Sequence, residues 1–201
     1  MLAPLTNEGV VMHLVDVVLF LHVLVAICAF ALAAVLHSSS LLMRRASTVA
    51  EIRTLAKPGR FGPAFGAIVV LLFGLGSWLM HLSSAPDKFH FGDAWVWTAI
   101  VALVVLFADG PTVLDRHHKK LVAAAQAAED GPVPAELRAL ALDRVAEMVS
   151  YGSTLLALGV VSNMINKPGV AGSISTLVVA TAIGLALGIV TSRPVAVLAA
   201  A

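Results

Sequence analysis

Long runs of apolar residues, separated by short polar segments, dominate the chain. A helix needs about 20 mostly apolar residues to cross a hydrocarbon core of ~30 Å, and about 17 is the lower limit. Five runs reach this length, at about residues 10–36, 61–82, 94–114, 148–165 and 174–191. The pattern predicts an all-α integral membrane protein with five transmembrane helices, folded as a single polytopic domain over residues 1–201.

The segment between the third and fourth runs, residues 115–147, is polar and rich in helix-forming residues. The third helix is expected to continue into this segment past a kink at Asp109-Gly110-Pro111. Gly131-Pro132 ends it, and a second helix is predicted over residues 134–148. Its apolar stripe consists of Leu137, Leu140, Ala141, Val145 and Met148. The sequence leaves open whether this second helix packs on the bundle, on the membrane surface or on another protein.

Charge is scarce and unevenly distributed. The chain is 59% hydrophobic and 12% charged, whereas soluble domains are about 45–50% apolar and about 25% charged, so an ordinary soluble globule is excluded. The net charge of +1 argues against a nucleic-acid-binding protein. Eleven basic residues follow the first, third and fifth runs, and only Lys88 and Lys167 lie on the opposite side. The positive-inside rule therefore predicts an external N-terminus, a cytoplasmic loop at 115–147 and a cytoplasmic C-terminus.

Two glycine pairs have the spacing that brings helices into close contact in a bilayer. Gly62 and Gly66 open the second run, and Gly184 and Gly188 lie in the fifth. Lipid gives helices no hydrophobic drive to associate, so small residues that allow close backbone approach favour packing. We expect both pairs to lie at helix contacts, within the bundle rather than at a dedicated dimer face.

A small set of polar residues falls near the predicted outer leaflet: Asp16, Asn163, Asn166 and Lys167. Ionisable groups inside a span are costly to bury and are functional candidates for that reason. Asp16 and Lys167 form a plausible ion pair, since each would lower the other's cost of burial. The alternative is that these groups are solvated at the interface or reach it by snorkelling.

Two histidines on the same side form the candidate cofactor site. His22 lies well inside the first run and His81 at the outer end of the second. Imidazoles on facing helices are common axial ligands of haem iron, so the pair is a candidate haem site. The structural alternative is a hydrogen bond from His22 to a neighbouring carbonyl or to Asn163.

The sequence predicts no catalytic residues. It lacks an HExxH motif, a glycine-rich phosphate loop and a CxxC pair. Its one cysteine, Cys28, excludes an internal disulfide and a thiol-rich metal site.

Two short motifs carry a resemblance to a known family. Leu21-His22-Val23 lies in the first run, and Met164-x-x-Lys167-Pro168-Gly169 ends the fourth. Together with Gly76-Ser77-Trp78-Leu79, they resemble a bacterial family of predicted integral membrane proteins of unknown function (domain-of-unknown-function 2269 type). The early histidine is also similar, more remotely, to that of copper-resistance membrane proteins and of membrane protoporphyrinogen oxidases. That similarity implies metal or tetrapyrrole handling at His22.

Three function classes follow from these observations. The first is an accessory or scaffold subunit of a membrane complex, located in the bacterial plasma membrane. The alternative is a haem- or metal-linked redox protein that uses His22 and a second histidine. A transporter of small solutes or ions comes third, because inverted repeats and broken helices are not apparent. The expected partners are the lipid bilayer and either another membrane protein or a second copy of the chain, with no nucleic acid.

Overall fold

The computed structural model describes residues 7–82 and 90–192, with side chains from residue 14 onward. Eight α-helices lie in these ranges: α1 Asn7–Met43, α2 Val49–Leu55, α3 Gly62–Leu82, α4 Ala94–Asp109, α5 Asp115–Ala127, α6 Ala135–Ala141, α7 Arg144–Asn166 and α8 Val170–Thr191. A 3₁₀ turn, Lys57–Phe61, precedes α3, and a π-helical turn, Gly110–Leu114, joins α4 to α5. Five helical stretches are long and apolar enough to cross a membrane, which confirms the five predicted spans.

The spans form two groups according to which helices pack against each other. α1 packs along α3, whereas α4, α7 and α8 pack together around a small core. That core consists of Ala99, Ala102, Leu156 and Val160. α7 is therefore the central helix of the second group.

The closest helix contact in the described structure joins α7 and α8, and glycines make it possible. A Cβ on Gly184 would lie 2.5 Å from the carbonyl oxygen of Tyr151, and one on Gly188 would lie 2.5 Å from the Cα of Met148. Gly62 and Gly66 differ, because a Cβ on either would meet nothing within 4 Å. The expectation of a close helix contact at the second run is therefore not matched by the structure.

The third span continues as a helix beyond the membrane. Pro111 lies in the π-helical turn, where a wider helical turn accommodates a residue that has no backbone N–H to donate. α5 then begins with six polar or charged residues in succession, Asp115 to Lys120. This density of charge places α5 outside the hydrocarbon, as the sequence predicted for the continuation past the kink.

A compact extramembrane subdomain forms at the predicted cytoplasmic side. Its core combines the end of α1 with α2, α5 and α6, and Val49 and Ile52 are fully buried in it. Arg53 fastens α2 to α5, since its Nε donates to the carbonyl of Ala125 at 2.8 Å. Arg138 fastens α6 to the end of α1 by donating to the carbonyls of Arg44 and Ala46. The loop at 115–147 therefore packs on its own chain.

The prediction of one continuous helix over residues 134–148 is wrong, because two helices share this segment. α6 ends at Ala141, and α7 begins at Arg144 and continues through the fourth span. Asp143 separates them, because its side chain accepts a hydrogen bond from the Ala146 N–H at 2.9 Å and caps α7. The apolar stripe is broken accordingly: Leu137 is buried in the subdomain, whereas Val145 is exposed.

Candidate functional site

A cluster of buried and partly buried polar side chains lies where the end of α1 meets α7, at the predicted cytoplasmic end. We call it the polar clasp and define it as His37, Arg44, Glu147, Ser150 and Tyr151. His37 lies on α1, and Arg44, seven residues later, directly follows the last residue of that helix and continues its backbone hydrogen bonding to Ser40. Glu147, Ser150 and Tyr151 occupy neighbouring turns of α7. These spacings place each set on one face of its helix.

The first contact of the polar clasp is an ion pair between Arg44 and Glu147. The Nη1 of Arg44 lies 3.1 Å from the Oε1 of Glu147, and the two side chains are only 8% and 4% exposed. That oxygen has no aligned hydrogen bond, so attraction of charge rather than hydrogen-bond geometry holds the pair. The Nη2 of Arg44 donates a very short hydrogen bond to the carbonyl of Thr191. Arg44 therefore holds α1, α7 and α8 together, and it satisfies a carbonyl that the end of α8 leaves free.

The second set of contacts in the polar clasp joins His37 to Ser150 and Tyr151. The Nδ1 of His37 is hydrogen-bonded to the Oγ of Ser150 at 2.9 Å. The His37 ring also meets the Tyr151 ring edge-on, with centroids 4.3 Å apart. An imidazole bonded to a hydroxyl beside a buried carboxylate is chemically able to accept and release a proton.

A second polar contact joins α7 to α4 near the same level. The Oγ of Ser153 donates to the Oδ2 of Asp109 at 2.9 Å. The half of α7 that carries the polar clasp therefore bonds to the α1 side and to α4, which makes α7 the helix that joins the two groups of spans.

Sequence reasoning missed the polar clasp. In the charge pattern, Arg44 is one of the eleven basic residues that orient the chain, and Glu147 is the last residue of the predicted loop at 115–147. The available signal was the run Glu147, Ser150, Tyr151 and Thr154, which recurs at helical spacing in the least apolar of the five spans. This run does not indicate that α1 is the helix that packs against it.

The predicted outer-leaflet cluster is dispersed in the structure. Asp16 is exposed on α1, and no ion pair between Asp16 and Lys167 is found among the described residues. Asn166 bonds within its own helix, donating to the carbonyl of Ser162 at 2.9 Å. Lys88 and Arg193, which entered the charge count, lie outside the described residues.

Asn163 and Lys167 instead build the turn between α7 and α8. The Nδ2 of the fully buried Asn163 donates to the carbonyl of Ser173 at 3.0 Å. Lys167 ends α7 with φ of 47°, a left-handed conformation that costs a residue other than glycine about 1 kcal/mol or more. Pro168 and Gly169 follow and start α8. The Lys-Pro-Gly motif is therefore the sharp reversal that places α8 against α7.

The structure does not bring His22 and His81 to one face. The His22 ring lies against α3, where a Cβ on Gly76 would approach its Cε1 to 3.1 Å. His81 is exposed and lies five residues beyond Gly76, about 7.5 Å along the helix and about 140° around it. His22 forms no hydrogen bond with Asn163, and its Nδ1 is enclosed without a hydrogen-bond partner among the described residues. The haem site stays a prediction.

Metal-ligand clustering gives no further candidate in the described ranges, where no group of three or more His, Cys, Asp or Glu side chains is close enough to hold an ion. Cys28 is exposed on α1 and forms no disulfide.

The fold and these contacts define the class as a multi-pass helical membrane protein with a packed extramembrane subdomain. A family model described as "Predicted integral membrane protein (DUF2269)" matches residues 16–168. The chain belongs to this family, as the resemblance in its first and fourth spans implied. No curated protein and no solved structure matches the chain significantly.

Proposed function

We propose that this protein is an accessory or scaffold subunit of a complex in the bacterial plasma membrane, and that α1 is the helix that contacts the partner. The observation that carries the proposal is a stripe on α1 formed by Asp16, Phe20, Val23 and Ile27. We call it the α1 stripe. Successive members are four, three and four residues apart, so they share one face of the helix.

The α1 stripe faces away from the rest of the described chain. Phe20 is 65% exposed and Ile27 60%, whereas Val18 on the opposite face is almost fully buried. The contacts that fasten α1 to α7 and α8 lie at the other end of the helix, in the polar clasp. The outer half of α1 is therefore free to pack against a helix of another protein.

Asp16 distinguishes this surface from one that only contacts lipid. A carboxylate at the head of an apolar stripe is costly next to acyl chains, and such groups usually pair with another polar group. Asp16 is exposed and forms no ion pair among the described residues. A basic or hydroxyl side chain on a neighbouring transmembrane helix would stabilise it, and apolar side chains of that helix would cover Phe20 and Ile27.

The proposal is tested by site-specific photo-crosslinking in native membranes. A photoreactive side chain is placed at Phe20 or Ile27, and at Val178 on α8 as a control that is equally exposed, at 61%. We expect a discrete protein adduct at the two α1 positions, lipid adducts alone at Val178, and a yield at least about fivefold lower when Asp16→Asn is added.

Two results would overturn the proposal. Lipid adducts alone at all three positions would show that the α1 stripe only contacts the bilayer. An adduct that contains two differently tagged copies of this chain would show self-association in place of a partner subunit.

A further inference from the structure

The basic residues of the predicted cytoplasmic side divide into two sets. Arg44, Arg53 and Arg138 are used internally, each bonded to backbone carbonyls or to an acidic side chain, and Lys119 pairs with Asp115 at 2.6 Å. The side chains of six other cations are exposed and form no ion pair or hydrogen bond within the described residues: Arg45, Lys57, Arg60, Arg116, Lys120 and Arg144. Of these, Lys57 and Arg60 belong to the turn that precedes α3. These two cations therefore do not stabilise the fold by pairing, and their charge is available to a ligand.

Lys57 and Arg60 belong to one 3₁₀ turn, Lys57–Phe61, that leads directly into α3. In a 3₁₀ turn, side chains three residues apart are eclipsed. The ammonium and the guanidinium therefore project from the same side of the turn. A phosphate group between them would meet two positive charges at once, and arginine would contact it in bidentate fashion.

The Lys57–Phe61 turn packs against His118 of α5. Its middle residue, Gly59, lies directly against the imidazole ring of His118 on α5, so closely that a Cβ at this position would overlap the ring. Pro58 limits the backbone further. Burial lowers the pKa of the His118 imidazole, which favours its uncharged form, and Lys57 and Arg60 carry the positive charge of the turn. The turn therefore packs directly against α5 through Gly59.

The surroundings of the two cations are those of a lipid headgroup. The guanidinium of Arg60 lies 4.9 Å from the centroid of the Phe61 ring, and Phe61 is 44% exposed. α3, which is apolar enough to cross a membrane, begins at the next residue. We therefore place this ring at the boundary between headgroups and acyl chains, where aromatic side chains are favoured. A soluble phosphate would gain nothing from the exposed ring, whereas a phospholipid would.

We propose that the Lys57–Phe61 turn is a binding site for the phosphate of an anionic phospholipid of the cytoplasmic leaflet. Lys57 and Arg60 bind the phosphate oxygens, and Phe61 contacts the glycerol and the upper acyl chain. Basic groups near the cytoplasmic ends of transmembrane helices are the usual determinants of such binding. The site is separate from the α1 stripe and does not depend on the proposed function.

The full-length protein is reconstituted in phosphatidylcholine nanodiscs that contain the same fraction of phosphatidylglycerol for every variant. The phosphatidylglycerol that stays bound to the protein is then measured by native mass spectrometry. The Lys57→Gln/Arg60→Gln variant is compared with Arg116→Gln/Lys120→Gln, which removes the same charge from α5 on the side away from Gly59. We expect roughly thirtyfold weaker binding in the first variant, and less than about threefold in the second.

Three results would overturn the proposal. Equal loss in the two variants would indicate attraction to the general surface charge. Displacement of the lipid by millimolar inorganic phosphate would indicate a site for free phosphate. Undiminished binding in the Lys57→Gln/Arg60→Gln variant would show that the lipid is bound elsewhere. A Phe61→Ala variant, which keeps both cations, is expected to lose several-fold in lipid affinity, and unchanged affinity would remove the ring from the site.

Discussion

Adding one methyl group at Gly188 is expected to destabilise the contact between α7 and α8. In Gly188→Ala the new Cβ would lie 2.5 Å from the Cα of Met148, a backbone atom that cannot rotate away. Carbon atoms in contact lie about 3.5–4.0 Å apart, so the two helices must separate by about 1 Å at this level. Overpacking of this kind costs about 1–3 kcal/mol.

The matched control is Gly66→Ala on α3. Both glycines lie about one turn from the end of a membrane-spanning helix, and replacing either by alanine gains about 0.5–1 kcal/mol of helix propensity. At Gly66 the new Cβ would meet nothing within 4 Å. The difference between the two variants therefore isolates the overpacking at the helix contact.

The measurement is the free energy of unfolding of the full chain in mixed micelles, titrated with a denaturing detergent. We expect Gly66→Ala to be neutral or slightly stabilising, and Gly188→Ala to be less stable than Gly66→Ala by about 1–3 kcal/mol. Equal free energies for the two variants would refute the reasoning, because they would mean that α8 does not approach α7 through its glycines.

Three further predictions concern the extramembrane subdomain, the polar clasp and the orientation. Ile52→Ala should lower the free energy of unfolding by about 2–5 kcal/mol, because Ile52 is fully buried. A smaller loss of stability in thermal melts would contradict the packing of Ile52 in the extramembrane core. Arg44→Met should cost about 3–5 kcal/mol by leaving Glu147 buried alone, and adding Glu147→Gln should restore part of the loss; additive losses would show that the two are not coupled. In a Cys28→Ala background, a cysteine introduced by Ala127→Cys should not react with a membrane-impermeant maleimide added outside intact cells. Rapid labelling would show that the predicted orientation is inverted.

The positions of the spans could be predicted because they follow from local composition. Apolar runs long enough to cross a bilayer are helical wherever they occur, since the backbone has no other way to satisfy its polar groups there. The fifth predicted span, 174–191, matches α8 at Val170–Thr191 within a few residues. The break between α6 and α7 was missed because the stripe that spans it is periodic, and the cap at Asp143 overrides that pattern.

Which helices meet could not be predicted from the sequence. The pairs at Gly62 and at Gly184 have the same spacing, yet only the second lies at a close contact, because spacing does not say which neighbour a face meets. The polar clasp was missed for the same reason: Arg44 and Glu147 are far apart in the chain and become partners only when α1 and α7 are adjacent. The candidate site therefore depends on tertiary contacts, whereas the spans do not.

The bonds of Arg44 have a consequence for the synthesis of the chain. This residue directly follows α1, yet it bonds to Glu147 on α7 and to a carbonyl at the end of α8, 147 residues later. Because the chain is synthesised from its N-terminus, Arg44 is made before its carboxylate partner on α7 and before its carbonyl partner on α8. The contact that joins the end of α1 to both α7 and α8 can therefore be completed only after the last span has been synthesised.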